Sequence, residues 1–192
     1  ILNAATPMML ITLGYVYLNR EQPQDAVSAF REAFTKEKAS IEHILLAIQG
    51  FLLLEDLEEA ARLFQRIDKL ALNMPLSTKQ QQCYFKQEIR LAILQGRLEQ
   101  AIAGYESLIR EDPLDGESML SLANLRIESK QFDKSRMLFE RASRISGFKT
   151  QALVRHAQLE VEQANYKKAI LLLENAQVLD DQPHVAHYLS QV

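Results

Sequence analysis

The sequence predicts an all-α fold, a solenoid of stacked helical hairpins, and three observations predict it. A small residue followed four positions later by a bulky one recurs at near-constant spacing along the chain. Helix-forming Leu and Ala are abundant, while the 192 residues include only 6 Gly and 5 Pro, too few turn residues for a β-sandwich. Hydrophobic residues make up 47% and charged residues 24%, enough to build a packed core and unlike a disordered chain.

The repeat is read on four columns. Ala26, Ala60, Ala101, Ser135 and Ala169 are the small residues, set 34, 41, 34 and 34 positions apart. Phe30, Phe64, Tyr105, Phe139 and Leu173 follow one helical turn later, where they fill the space between units. Pro23, Leu57, Leu98, Phe132 and Tyr166 stand three residues before the small ones, at the turn. Ala33, Ile67, Leu108, Ala142 and Ala176 stand three after the bulky ones. A hairpin with this pattern is apolar on too many sides to stand alone and must bury its faces against neighbours. Five units follow, at residues 7–40, 41–74, 82–115, 116–149 and 150–183, each with a helix A and a helix B of about 14 residues. The seven extra residues fall between units two and three. Pro75 interrupts there, and Ser77 or Thr78 can cap the next helix with Gln80 or Gln81 three residues on. The insertion is therefore expected as a longer loop at 72–78, or as one extra turn on each flanking helix.

This pattern resembles the tetratricopeptide repeat, a helix–turn–helix unit of 34 residues. Unit one fits best, with Leu13-Gly14, Tyr17, Ala26, Phe30 and Ala33; no unit has the family's Trp, and Pro113 alone sits at its closing proline. The resemblance implies one right-handed α–α superhelix over residues 1–192. The chain starts at Ile1 without a Met, and residues 1–19 carry no charge, so it is expected to be a piece of a longer protein. Pro183 and the segment 184–192 are expected to form a capping helix or half of a truncated sixth repeat.

The formal net charge is −3, from 22 basic and 25 acidic residues, which disfavours a nucleic-acid partner. The segment 1–19 is too polar for a membrane span and lacks the basic start of a signal peptide. Phosphate-loop, nucleophile-elbow and H-E-x-x-H motifs are absent, so no enzyme, metal or cofactor is expected. Cys83 is a lone cysteine with no identified base, and it leaves the compartment open. His184 and His187 lack a third metal ligand nearby; His43 and His156 are isolated, and packing or solvent accounts for them. Glu55, Asp56, Glu58 and Glu59 cluster where helix B of unit two begins and complement its dipole. From Arg126 to Arg155 eight basic residues face three acidic ones. This is a solvated face or a patch for an acidic partner.

The resemblance places helix A on a concave surface, with groove positions at the second, fifth, ninth and twelfth residues of each unit. The ninth column is Tyr15, Gln49, Arg90, Asn124 and Gln158, largely hydrogen-bonding groups able to hold a peptide backbone. The fifth column includes Leu45, Lys86, Leu120 and Val154, and the twelfth includes Leu52, Ile93 and Ile127. These apolar strips are expected to take side chains of an extended segment or amphipathic helix. Lys86 and Arg90, one turn apart, are placed to pair an acidic side chain. The function expected is a non-enzymatic scaffold for a protein or peptide partner. The alternatives are self-assembly, with a homodimer through residues 8–19 that uses the uncharged first helix, and a secretion or assembly adaptor. An RNA-binding helical repeat would need a basic groove.

Overall fold

The computed structural model describes residues 5–35 and 39–179. The segment expected as a capping helix, with Pro183, His184 and His187, lies outside them. Among the described residues there are ten helices and no strand. In chain order they are α1 (Pro7–Asn19), α2 (Pro23–Glu32), α3 (Ile41–Leu53), α4 (Leu57–Ala71) and α5 (Thr78–Leu94), then α6 (Leu98–Glu111), α7 (Gly116–Glu128), α8 (Phe132–Ala142), α9 (Lys149–Glu162) and α10 (Tyr166–Leu179). The five turn-column residues, Pro23, Leu57, Leu98, Phe132 and Tyr166, each open a B helix. The inserted residues divide between a loop at 72–77 and an added first turn on α5.

Local chemistry explains where the helices begin. Thr6, Ser40, Ser77 and Asp115 cap α1, α3, α5 and α7, each side chain accepting the backbone N–H three residues on. At Ser77 the Gln80 side-chain oxygen accepts the Ser77 N–H in return at 2.9 Å, closing a capping box. His43 does the same for Ser40 through Nδ1 at 3.2 Å, which gives this histidine a structural task. Asp56 caps α4, and Arg31 of α2 bonds Glu59 at 2.8 Å, linking the B helices of the first two hairpins.

Each A helix ends in the same way. The residue two before each B helix is left-handed: Glu21, Glu55, Lys130 and Ala164 at φ 56–57° and Gly96 at φ 71°. The next N–H reaches back five residues, as from Gln22 to the Tyr17 carbonyl at 3.0 Å and from Asn165 to Glu160 at 2.7 Å. These are Schellman turns, which satisfy the last carbonyls of helix A and reverse the chain.

The chain divides after Arg97 into two compact units, so the helices of the third repeat belong to different units. In the first unit α1 packs on α2, α3 on α4, and α3 also on α1 and α5. Its core centres on Phe30, fully buried, with Tyr15 and Phe51 edge-on at 5.4 Å each. The ring lies between two glycines. A methyl at Gly14 would come within 2.5 Å of it, and one at Gly50 closer still. Tyr84 of α5 meets Phe64 of α4 edge-on at 5.2 Å. In the second unit α7 packs on α6 and α8, α9 on α8 and α10. Ala157, Ala169, Leu173 and Ala176 form a cluster between α9 and α10.

All five small residues are fully buried. Ser135 stands where the other units have Ala, and its hydroxyl has no hydrogen-bond partner among the described residues. A buried hydroxyl without a partner costs more than a methyl group there. Ser135→Ala should therefore raise the unfolding free energy by about 1 kcal/mol in urea titration. Gly50→Ala should lower it by about 1–3 kcal/mol, because the Phe30 ring has no room to retreat.

Candidate functional site

An A helix in a stack is packed on several sides at once, and the core claims most of its circumference. α3 contacts α1, α4 and α5. Leu45, Leu52 and Leu120, expected as groove residues, are only 4%, 1% and 6% exposed. They are buried in the core rather than exposed along a groove. The physical reason is that the fifth position, and in α3 also the twelfth, turns toward the neighbouring helices.

The ninth column behaves differently. Gln49 of α3 and Arg90 of α5 are exposed in the first unit, Gln158 of α9 is exposed in the second, and Asn124 of α7 is half-buried. Tyr15 is the exception. Its hydroxyl donates to the Leu46 carbonyl of α3 at 2.7 Å, and burial pushes its pKa up to about 12. It joins α1 to α3 as a neutral donor.

Lys86, Arg90 and Ile93 lie along one face of α5, at successive turns. Lys86 and Ile93 are half-buried beside the exposed Arg90. Gln87, next to them, is buried and donates to the Leu45 carbonyl at 2.9 Å. This bond holds α5 in register with α3. In the second unit Ile127 and Val154 are half-buried, and Val154 packs on the α9–α10 cluster. Cys83 is half-buried, and burial pushes its thiol pKa up, which disfavours the nucleophilic thiolate.

The basic segment divides into committed and uncommitted charges. Arg126 is buried, bonds Glu106 of α6, and donates to Gln131 at 2.7 Å. Arg136 of α8 reaches Glu160 of α9 at 2.9 Å. Glu160 is 1% exposed and also accepts from Lys168 at 2.8 Å and Asn165 at 2.7 Å. The ring of His156 lies 3.1 Å away and stacks on Phe139. Burial alone would raise the Glu160 carboxyl, but the donors Arg136, Lys168 and Asn165 outweigh it and hold its pKa near 2. Burial holds the His156 imidazole below its usual pKa, so it sits neutral beside the carboxylate. One carboxylate thus ties α8, α9 and α10 together. The composition of the segment signalled its charge, and nothing in the sequence marked Glu160 as the hub.

Among the described residues no group of three or more His, Cys, Asp or Glu is placed to hold a metal. Among the same residues no helix is long and apolar enough to cross a membrane.

Helical hairpins repeating at 34 residues, with a small residue at each helix crossing, define a class of helical-repeat proteins. Residues 87–148 match the model of the tetratricopeptide repeat family. Solved structures extend the likeness to nearly the whole chain. A tetratricopeptide repeat protein from Parabacteroides merdae superposes with a TM-score of 0.71 at 15% identity, over 97% of this chain and 70% of that one. TTC0263, a TPR protein of Thermus thermophilus, gives 0.66 at 13% identity, over 97% and 98%. YrrB, described as a TPR protein with an unusual peptide-binding site, gives 0.58 at 13% identity, over 99% and 94%. Residues 87–148 thus carry the tetratricopeptide-repeat signature, and the described chain has the helical-repeat fold of TPR solenoids. A comparison with curated proteins finds no match.

The Glu160 carboxylate carries a pH signature. Its folded pKa lies below the unfolded value, so its contribution is complete above about pH 4.5 and is lost as the pH falls toward about 2. Glu160→Gln should cost about 1–3 kcal/mol at neutral pH, because it weakens the charge-assisted hydrogen bonds from the half-buried Arg136 and the exposed Lys168. In urea titrations across pH 2–7, the gap between wild type and variant should close as the solution is acidified.

Proposed function

We propose that the protein is a non-enzymatic scaffold that holds a peptide or helix of a partner protein on the A-helix faces of its repeats. One observation carries this reading. The core claims most of the fifth column and Leu52 of the twelfth, and leaves Gln49, Arg90 and Gln158 of the ninth exposed and Asn124 half-buried. In the first unit Gln49 and Arg90 stand beside the half-buried Lys86 and Ile93. In the second, Asn124 and Gln158 stand beside Ile127 and Val154. Amides donate and accept at once, so they suit a peptide backbone, and the apolar neighbours suit its side chains. The peptide-binding site named for YrrB supports the reading by analogy of fold.

The test avoids the core, since a charge at Leu45 or Leu120 would break it. Affinity capture from the source organism would compare wild type with Gln49→Ala/Arg90→Glu and with Asn124→Ala/Gln158→Ala. All three should show the same circular dichroism. A protein retained by wild type and reduced about tenfold by either pair supports the reading, as expected when a central polar anchor worth about 1.4 kcal/mol is lost. Equal capture by all three sinks it.

A second reading rests on α1. The helix has no charge, and Met8, Met9 and Val16 are 45%, 61% and 39% exposed. An uncharged face of this kind suits a second copy of the chain. Sedimentation should then show a dimer that Met9→Glu/Val16→Glu converts to monomer, whereas a monomeric wild-type chain removes this reading.

A further inference from the structure

The second unit carries a surface depression on its B helices, apart from the ninth-column row. It is about 470 Å³ and lies between α6 and α8, over α7. Ile109, Leu122 and Leu138 form its floor and are buried, while Met137 is 63% exposed at its edge. Four cations line it, Arg110, Arg126, Lys134 and Arg141, against the single carboxylate of Glu106. Arg126 and Glu106 neutralise each other. Arg110, Lys134 and Arg141 are exposed and make no ion pair among the described residues. Lys134, Met137, Leu138 and Arg141 occupy positions i, i+3, i+4 and i+7 of α8, one continuous face. The same face therefore presents two uncompensated charges and the apolar edge between them.

We propose that this depression is a second docking site, for an acidic peptide segment of a partner protein in which a large apolar side chain is flanked by Asp or Glu. The apolar floor takes the side chain, and Arg110, Lys134 and Arg141 take the carboxylates. Charge complementarity selects this occupant. Burying carboxylates beside three unpaired cations offsets their desolvation, whereas a basic or neutral segment leaves those cations uncompensated. The volume lies within the range of built ligand sites and suits an anchoring side chain better than a flat surface such as a bilayer. No aromatic residue lines it, so it offers no platform on which nucleic-acid bases would stack.

The test is selection of a phage-displayed library of random 12-residue peptides on the full chain, followed by fluorescence anisotropy with the selected peptides. Supporting results are enrichment of a large apolar residue between acidic ones, and binding that weakens several-fold between low and physiological salt. Lys134→Glu/Arg141→Glu should reduce the affinity about tenfold, because each lost pair becomes a like-charge contact. Lys134→Arg/Arg141→Lys should restore it. These residues are exposed, so circular dichroism and melting temperature should be unchanged, which keeps a loss of binding from being a loss of fold. Selected peptides without acidic bias overturn the proposal, as does equal binding by wild type and the charge-reversed variant. Binding lost only in Gln49→Ala/Arg90→Glu or Asn124→Ala/Gln158→Ala also overturns it, since the peptides would then occupy the ninth-column row. Vesicles of phosphatidylglycerol that bind tightly while no acidic peptide does would replace the peptide with a membrane surface.

Discussion

The structure depends on how closely two helices can approach at one point in each repeat. Ala26, Ala60, Ala101, Ser135 and Ala169 have no exposed surface at all, and a larger side chain at any of them would push a helix pair apart. A close crossing is useful only if the space beyond it is filled, and the bulky residue one turn later fills it. Phe30 shows how tight that filling is, because its ring leaves room for hydrogen alone at Gly14 and Gly50. Phe148 repeats the arrangement in the second unit, where it covers Gly116 as closely. Gly14 and Gly50 are thus the reason an aromatic ring can sit between their helices.

The repeat architecture was legible because it follows from spacing, and spacing survives when individual residues drift. The turn column falls on the first residue of every B helix, and of the two caps the sequence offered for α5, Ser77 or Thr78, the chain uses Ser77 with Gln80. The insertion was legible as either loop or helix, and the chain divided it between both. The burial of Leu45, Leu52 and Leu120 was not legible. A column of leucines on helix A reads equally as a groove wall or as core, and only the number of neighbours around the helix distinguishes them. The left-handed turns were hidden as well. Gly96 is the one residue in that column whose type announces the conformation, while Glu21, Glu55, Lys130 and Ala164 adopt it without any local signal.

Charge tells a similar story at longer range. The basic excess between Arg126 and Arg155 was plain in the sequence, yet its members have unlike fates. Arg126 and Arg136 are absorbed into internal ion pairs with carboxylates on other helices, 20 and 24 residues away in the chain. Lys134 and Arg141 stay in solvent. No periodicity separates the two groups, because their partners come from helices whose relative placement is set by packing. A buried carboxylate with several donors, as at Glu160, is also costly unless every donor is present. The junction of α8, α9 and α10 therefore depends on Arg136, Asn165 and Lys168 together.

The left-handed turns bear on how this chain tolerates change. Four of them force a side chain into a conformation that costs on the order of 1 kcal/mol before the added chain entropy of glycine is counted. A change of that size is large enough to alter the cellular abundance of a marginally stable protein. The same residues are a reserve. They lie in turns, away from the packed columns, so lineages carrying the fold could drift in their binding faces and recover the lost margin by exchanging a turn residue for glycine. Adaptability here resides in the connections between helices, where no partner and no core residue has to be renegotiated.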